Sequence, residues 1–160
     1  MAKPISDVER LILANQYEIL AELNEDDDLR RVSQHFKDGH KWLYDQVLDN
    51  LSPNLSKDDE EFVLSVMELY RSLDSSYDAL TDKAGLTPRD VAYKGFDGNN
   101  EAELMGFAKA LNDAGRYTES DGELNSHTQM SSYYQRLIAR HEEMGSPQRM
   151  TAEQIQSLLN

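Results

Sequence analysis

Cysteine is absent from this chain of 160 residues. Disulfides, iron–sulfur clusters, cysteine-ligated zinc and thiol nucleophiles are therefore excluded together, and nothing points to an oxidising compartment. Histidine is scarce, with four residues in all. The start, Met1 to Ile5, lacks the basic start and apolar run of a signal peptide, with Lys3 as its one base, and no stretch approaches the roughly 18 apolar residues that span a bilayer. A cytoplasmic setting without membrane association is expected. Bases are few as well: 16 against 30 acids leave a formal charge of −14. That balance disfavours direct attachment to nucleic-acid phosphates or anionic lipid, so direct nucleic-acid binding is not expected. The charge serves solubility, or else mimics nucleic acid before a basic partner.

What is present is a repeated helix-start signal, a capping residue followed three positions later by an acid or amide. Ser6-x-x-Glu9 predicts a helix to about Leu23. Val8, Ile12, Ile19 and Leu23 form one stripe on it, with Leu13, Tyr17 and Leu20 beside them, and this broad face is expected to be buried. Leu29, Val32 and Phe36 mark a second helix that ends near Gly39. Trp42, Leu43, Val47 and Leu51 mark a third, closed by the turn Ser52-Pro53-Asn54. The longest element is predicted from Ser56 to about Ala84, with Phe62, Val66, Leu69, Tyr70, Leu73, Tyr77 and Leu80 spaced by threes and fours. At that length it either bends near Ser72 to Ser76 or projects toward a partner chain.

Thr87-Pro88 opens a short helix. Asn100-x-x-Glu103 is expected to open the next, with Leu104, Phe107, Ala108 and Leu111 inward and Gly115 closing it. Arg116 to His127 shows no periodicity and reads as a long connection. Met130, Tyr133, Tyr134, Leu137, Ile138 and His141 then give a helix face ended at Gly145, and Thr151-x-x-Gln154 caps a last helix bearing Ile155, Leu158 and Leu159. No repeat or strand-type alternation is found. The fold expected is all-α, a multihelical single domain over 1–160 with about six to eight helices and one long central helix at 56–84.

Reactive groups do not converge in the sequence. The acids of Glu25 to Asp28 and Asp58 to Glu61 sit at helix starts, where the macrodipole accounts for them. Asp97-Gly98-Asn99-Asn100-Glu101 resembles the opening of a calcium loop, but the twelfth position is Ala108, where such a loop needs a bidentate glutamate. His35 and His40, five residues apart, are expected on different sides of a helix. His141-Glu142-Glu143 diverge on a helix, and Arg136 with Arg140 reads as a solvated pair. No catalytic residue, metal site or cofactor is predicted.

Five strings stand apart: Glu9 to Tyr17 (ERLILANQY), Met67-Glu68-Leu69-Tyr70, Gly95-Phe96-Asp97, Gly115-Arg116-Tyr117-Thr118 and Tyr134-Gln135-Arg136. In this order and spacing, from about Val8 to Leu159, the chain resembles the YfbU family of bacterial proteins. The resemblance implies an all-α fold and no assigned reaction, cofactor or catalytic residue. Some relatives carry an added N-terminal segment of DNA-binding type, for which a first helix opening at Ser6 leaves no room. Within the matching strings, Asn15, Gln16, Asp97, Arg116 and Tyr117 could form a polar ligand site if two loops lie against the first helix, with an Arg116–Asp97 staple as the plainer outcome. Three functions follow: a noncatalytic, homo-oligomeric interaction protein using the long helix or its neighbours; an enzyme or small-ligand binder at that polar site; or an acidic nucleic-acid mimic.

Overall fold

The computed structural model describes residues 4–120, 122 and 124–160. Met1, Ala2 and Lys3, at the start read above as lacking a signal, and Asp121 and Glu123, in the connection from Arg116 to His127, lie outside the described residues. The fold is all-α. Eight α-helices and no strand occur among the described residues, with one isolated parallel bridge between Phe96 and Asn125. The chain groups into two compact units, 1–54 and 55–160.

The first unit holds α1 (Asp7–Asn24), α2 (Asp27–Asp38) and α3 (Lys41–Leu48). Ser6 and Glu9 form the reciprocal cap that their spacing predicts. Glu25 in the left-handed region and Asp26, which accepts from Asp28 and Leu29 N–H groups, turn the chain within two residues. So short a link makes α1 and α2 an antiparallel pair. Ala14 and Ala21, both fully buried, let α2 approach closely. The rings of Tyr17, Phe36 and Tyr44 then stack in series, with centroids 5.7 and 4.8 Å apart. The buried Ser33 hydroxyl lies 2.8 Å from the Ala14 carbonyl and 3.0 Å from the Glu18 carboxylate.

The second unit is built on α4 (Lys57–Ala79), about 35 Å long at 1.5 Å per residue. Around it lie α5 (Pro88–Val91), α6 (Ala102–Asp113), α7 (Ser131–Glu143) and α8 (Ala152–Leu159), with a 3₁₀ turn at Thr118–Ser120 inside the predicted connection. Val63, Val66, Met67, Leu69, Tyr70 and Leu73 of α4 are buried within this unit. Its apolar side is thus largely spent on the core of its own unit.

The helix also ends five residues earlier than Ala84. Leu80 is already extended, and the Lys83 ammonium folds back to donate to the Tyr77 and Asp78 carbonyls while lying 4.2 Å from the Tyr77 ring centroid. A lysine therefore satisfies the terminal carbonyls that further helix would have satisfied.

Four rings, Tyr70, Tyr93, Phe96 and Tyr134, meet edge-on or stacked with centroids 5.2 to 6.3 Å apart. The Tyr134 hydroxyl donates to the Gly95 carbonyl at 2.7 Å. This contact holds the 95–101 loop against the core. Gly95 has φ +80°, and a Cβ placed there would stand 2.2 Å from the Leu124 carbonyl oxygen. Gly115 has a similar φ of +74° with nothing within 4 Å of a built Cβ. Gly95→Ala is therefore expected to cost about 3 kcal/mol or more, and Gly115→Ala about 1 kcal/mol, in urea unfolding of the two variants.

Candidate interaction face and polar loop cluster

The first helix departs most from expectation. Ala14, Leu13, Tyr17 and Ala21 face α2, whereas Val8, Ile12, Ile19 and Leu23, expected inward, are 69, 52, 60 and 75 % exposed. Leu11 and Leu20 flank them, also exposed. The reason is geometric. The chain turns at Glu25–Asp26 so that α2 covers the side bearing the two alanines, and one neighbouring helix cannot cover two opposite faces. On α3, Tyr44 turns inward in place of Trp42 and Leu43; with Leu51, these two stay exposed. Every exposed large hydrophobic side chain among the described residues belongs to this first unit.

The second unit concentrates its polar chemistry on Glu101. Its carboxylate accepts from the N–H groups of Asp97 (2.9 Å), Met130 (3.0 Å) and Ser131 (2.8 Å) and from the Ser131 hydroxyl (2.6 Å). Helix α7 has no cap of its own at Met130, so Glu101 supplies one from 30 residues upstream. Burial works to raise the Glu101 carboxyl, but the Asp97 N–H, the Ser131 hydroxyl and the Met130 and Ser131 N–H groups outweigh it and hold the group below its ordinary range. The Asn125 side-chain oxygen plays a similar part, accepting from Gly98 and His127 N–H groups at 3.0 Å each.

Among the proposed ligand residues, Asp97 is buried, its carboxylate accepting from the Asn99 N–H and the Asn100 side-chain amide. Those bonds hold its pKa down, and they displace Asn100 from the expected cap, so α6 begins at Ala102. Tyr117 lies under the Arg71 guanidinium, 4.2 Å from the ring centroid, and Arg71 pairs with Glu119 and Glu68. Arg116 is exposed and makes no ion pair among the described residues, so the Arg116–Asp97 staple does not form. Asn15 and Gln16 belong to the first unit, where both are exposed in the middle of the α1 stripe.

Two further pairings differ from the sequence reading. His35 and His40 do meet, Nδ1 to Nδ1 at 3.3 Å, because Gly39 breaks the helix between them and the even turn of 100° per residue no longer applies. Arg136 is exposed as read, but Arg140 is half-buried and donates to the Leu158 carbonyl at 3.1 Å, near the end of α8. No group of three or more His, Asp or Glu able to hold a metal ion occurs among the described residues. Nor is any helix there long and apolar enough to cross a membrane.

The YfbU domain profile matches residues 3–160, which takes in both units. The chain belongs to the YfbU family. It is also 28 % identical over 143 residues to the UPF0304 protein MJECS11 of Methanocaldococcus jannaschii, covering 84 % of this chain and 85 % of that protein. These matches agree with the resemblance carried by the five strings.

Glu101 was missed in the sequence, because Ser126 and Thr128 stand ahead of Met130 as nearer acceptors and only the fold brings a carboxylate from 30 residues upstream to the start of α7. Its depressed pKa stabilises the fold fully above about pH 4.5, the ordinary glutamate value, and the contribution falls away as acid protonates the folded carboxylate. Glu101→Gln is expected to lower stability at pH 7 by about 2 kcal/mol and to flatten the acid limb of a stability–pH curve measured by urea unfolding.

Proposed function

We propose that this YfbU-family chain is a noncatalytic helical interaction protein, a regulatory module acting as a homo-oligomer in the cytoplasm. The observation that carries this reading is the confinement of exposed large apolar side chains to the first unit, beside a second unit whose apolar helix faces are closed on themselves. Soluble proteins seldom leave more than a few hundred Å² of contiguous apolar surface to water unless something covers it. The α1 helix now takes the role that the sequence suggested for α4. Size exclusion with light scattering at micromolar concentration is expected to give a multiple of the 18.3 kDa chain mass; a strict monomer would refute the oligomer.

A small-ligand reading has support at a different place from Asp97, Arg116 and Tyr117, since the Asp97 carboxylate is bonded to Asn99 and Asn100 and the Tyr117 ring lies under Arg71. An open cleft of about 500 Å³ in the second unit is lined by Arg89, Tyr93, Lys94, Asn125, His127 and Thr128. Arg89 and Lys94 make no ion pair among the described residues, an arrangement suited to a small anion in an otherwise acidic chain. Calorimetric titration with inorganic pyrophosphate is expected to show saturable binding lost in Arg89→Ala/Lys94→Ala. Absence of heat in the native protein would remove this reading.

A further inference from the structure

The exposed α1 stripe is symmetric about its own midpoint. Val8 and Leu23, Leu11 and Leu20, Ile12 and Ile19, and Asn15 and Gln16 each lie equally far on either side of the point between Asn15 and Gln16. At 100° per residue that midpoint faces the centre of the stripe, directly away from Ala14, Tyr17 and Ala21. A helix with this property presents the same surface to a copy of itself running the opposite way, the self-complementarity a two-fold interface requires.

From this we infer that two copies of the chain pair through α1, antiparallel, about a two-fold axis passing between Asn15 and Gln16. The proposal rests on the homo-oligomer reading and names its surface and geometry. Ile12 of each copy packs against Ile19 of the other, Val8 against Leu23 at the two ends, and Leu11 and Leu20 line the opposite edges of the seam. Asn15 meets Asn15 on one edge at the axis and Gln16 meets Gln16 on the other, so the amides bond each other there. Polar residues in such a seam set register, because any slip would bury them against leucine or isoleucine.

Charge and area agree with this occupant. The acids bordering the stripe, Glu9 and Glu22, fall on opposite edges, so the two-fold sets neither against the other. Glu9 already accepts from Ser6, and Glu22 pairs with Arg30 at 3.0 Å. The six apolar side chains, each 43 to 75 % exposed, offer on the order of 500 Å² per copy, which brings a symmetric pair near the ~1,000 Å² lower bound of a specific interface. The first unit also has reason to need cover, since its own core buries few large side chains beyond Phe36 and Tyr44.

The cysteine-free chain suits a cross-linking test on the full-length protein. With helices packed about 9 Å apart, the two Asn15 Cα atoms approach to about 6 Å, within the span of a disulfide. The two Val8 positions stay about 20 Å apart along the axis. Oxidation is expected to convert Asn15→Cys to a covalent dimer and to leave Val8→Cys uncross-linked, while Val8→Cys/Leu23→Cys cross-links. Ile12→Asp/Ile19→Asp is expected to run as a monomer in light scattering with helical circular dichroism retained, as both side chains stand outside the folded core. Cross-linking of Val8→Cys alone would overturn the antiparallel arrangement. An oligomer that survives the aspartate substitutions and yields no Asn15→Cys dimer would overturn this interface while leaving the homo-oligomer in place, and a native monomer would overturn both.

Discussion

Every α-helix begins with backbone N–H groups that no residue of the same helix can accept, and this chain is organised by how those groups are met. Ser6, Asp26, Ser56 and Thr151 meet them locally, from the residue just ahead of each helix. Helix α7 has no such residue, and a carboxylate brought in by the 95–101 loop takes its place. That substitution ties three segments into one arrangement: the loop held by Tyr134, the start of α6 and the start of α7. Acid placement in this acidic protein is therefore partly architectural.

Legibility in the sequence followed the range of the interactions. Local caps and faces were readable, and α1, α2, α6, α7 and α8 lie close to their predicted positions because each is governed by residues three or four apart. The errors arose where a distant or backbone-breaking partner decided the outcome. Lys83 ended α4 by folding back onto carbonyls that periodicity alone would have carried onward. Gly39 brought together two histidines that an unbroken helix would have parted. Arg71, 46 places from Tyr117 in the chain and unconnected to it by any pattern, covers the ring that the sequence reading placed in a polar ligand site.

The apolar faces teach a related lesson. Hydrophobic spacing states that a surface needs cover but not which molecule supplies it. On α4 the cover comes from the helices of its own unit, and on α1 only one of two opposed faces is covered by α2. Asn15 and Gln16, first singled out as ligand candidates, gain a different meaning from their position amid isoleucine and leucine. Amides at the centre of a greasy strip restrict how it can be met.

The Ser76 side chain shows how one hydroxyl can serve two segments. Its oxygen sits in series between two backbone groups, donating to the Ser72 carbonyl inside α4 and accepting from the Met150 N–H at 3.0 Å, just ahead of α8. Because one proton serves the helix and one lone pair serves the loop, the two bonds polarise each other in a fixed direction. The approach to the final helix is thus indexed to α4 by an oxygen 74 positions earlier, a tie that adds to the Arg140 bond at Leu158 and that no hydrophobic pattern would disclose.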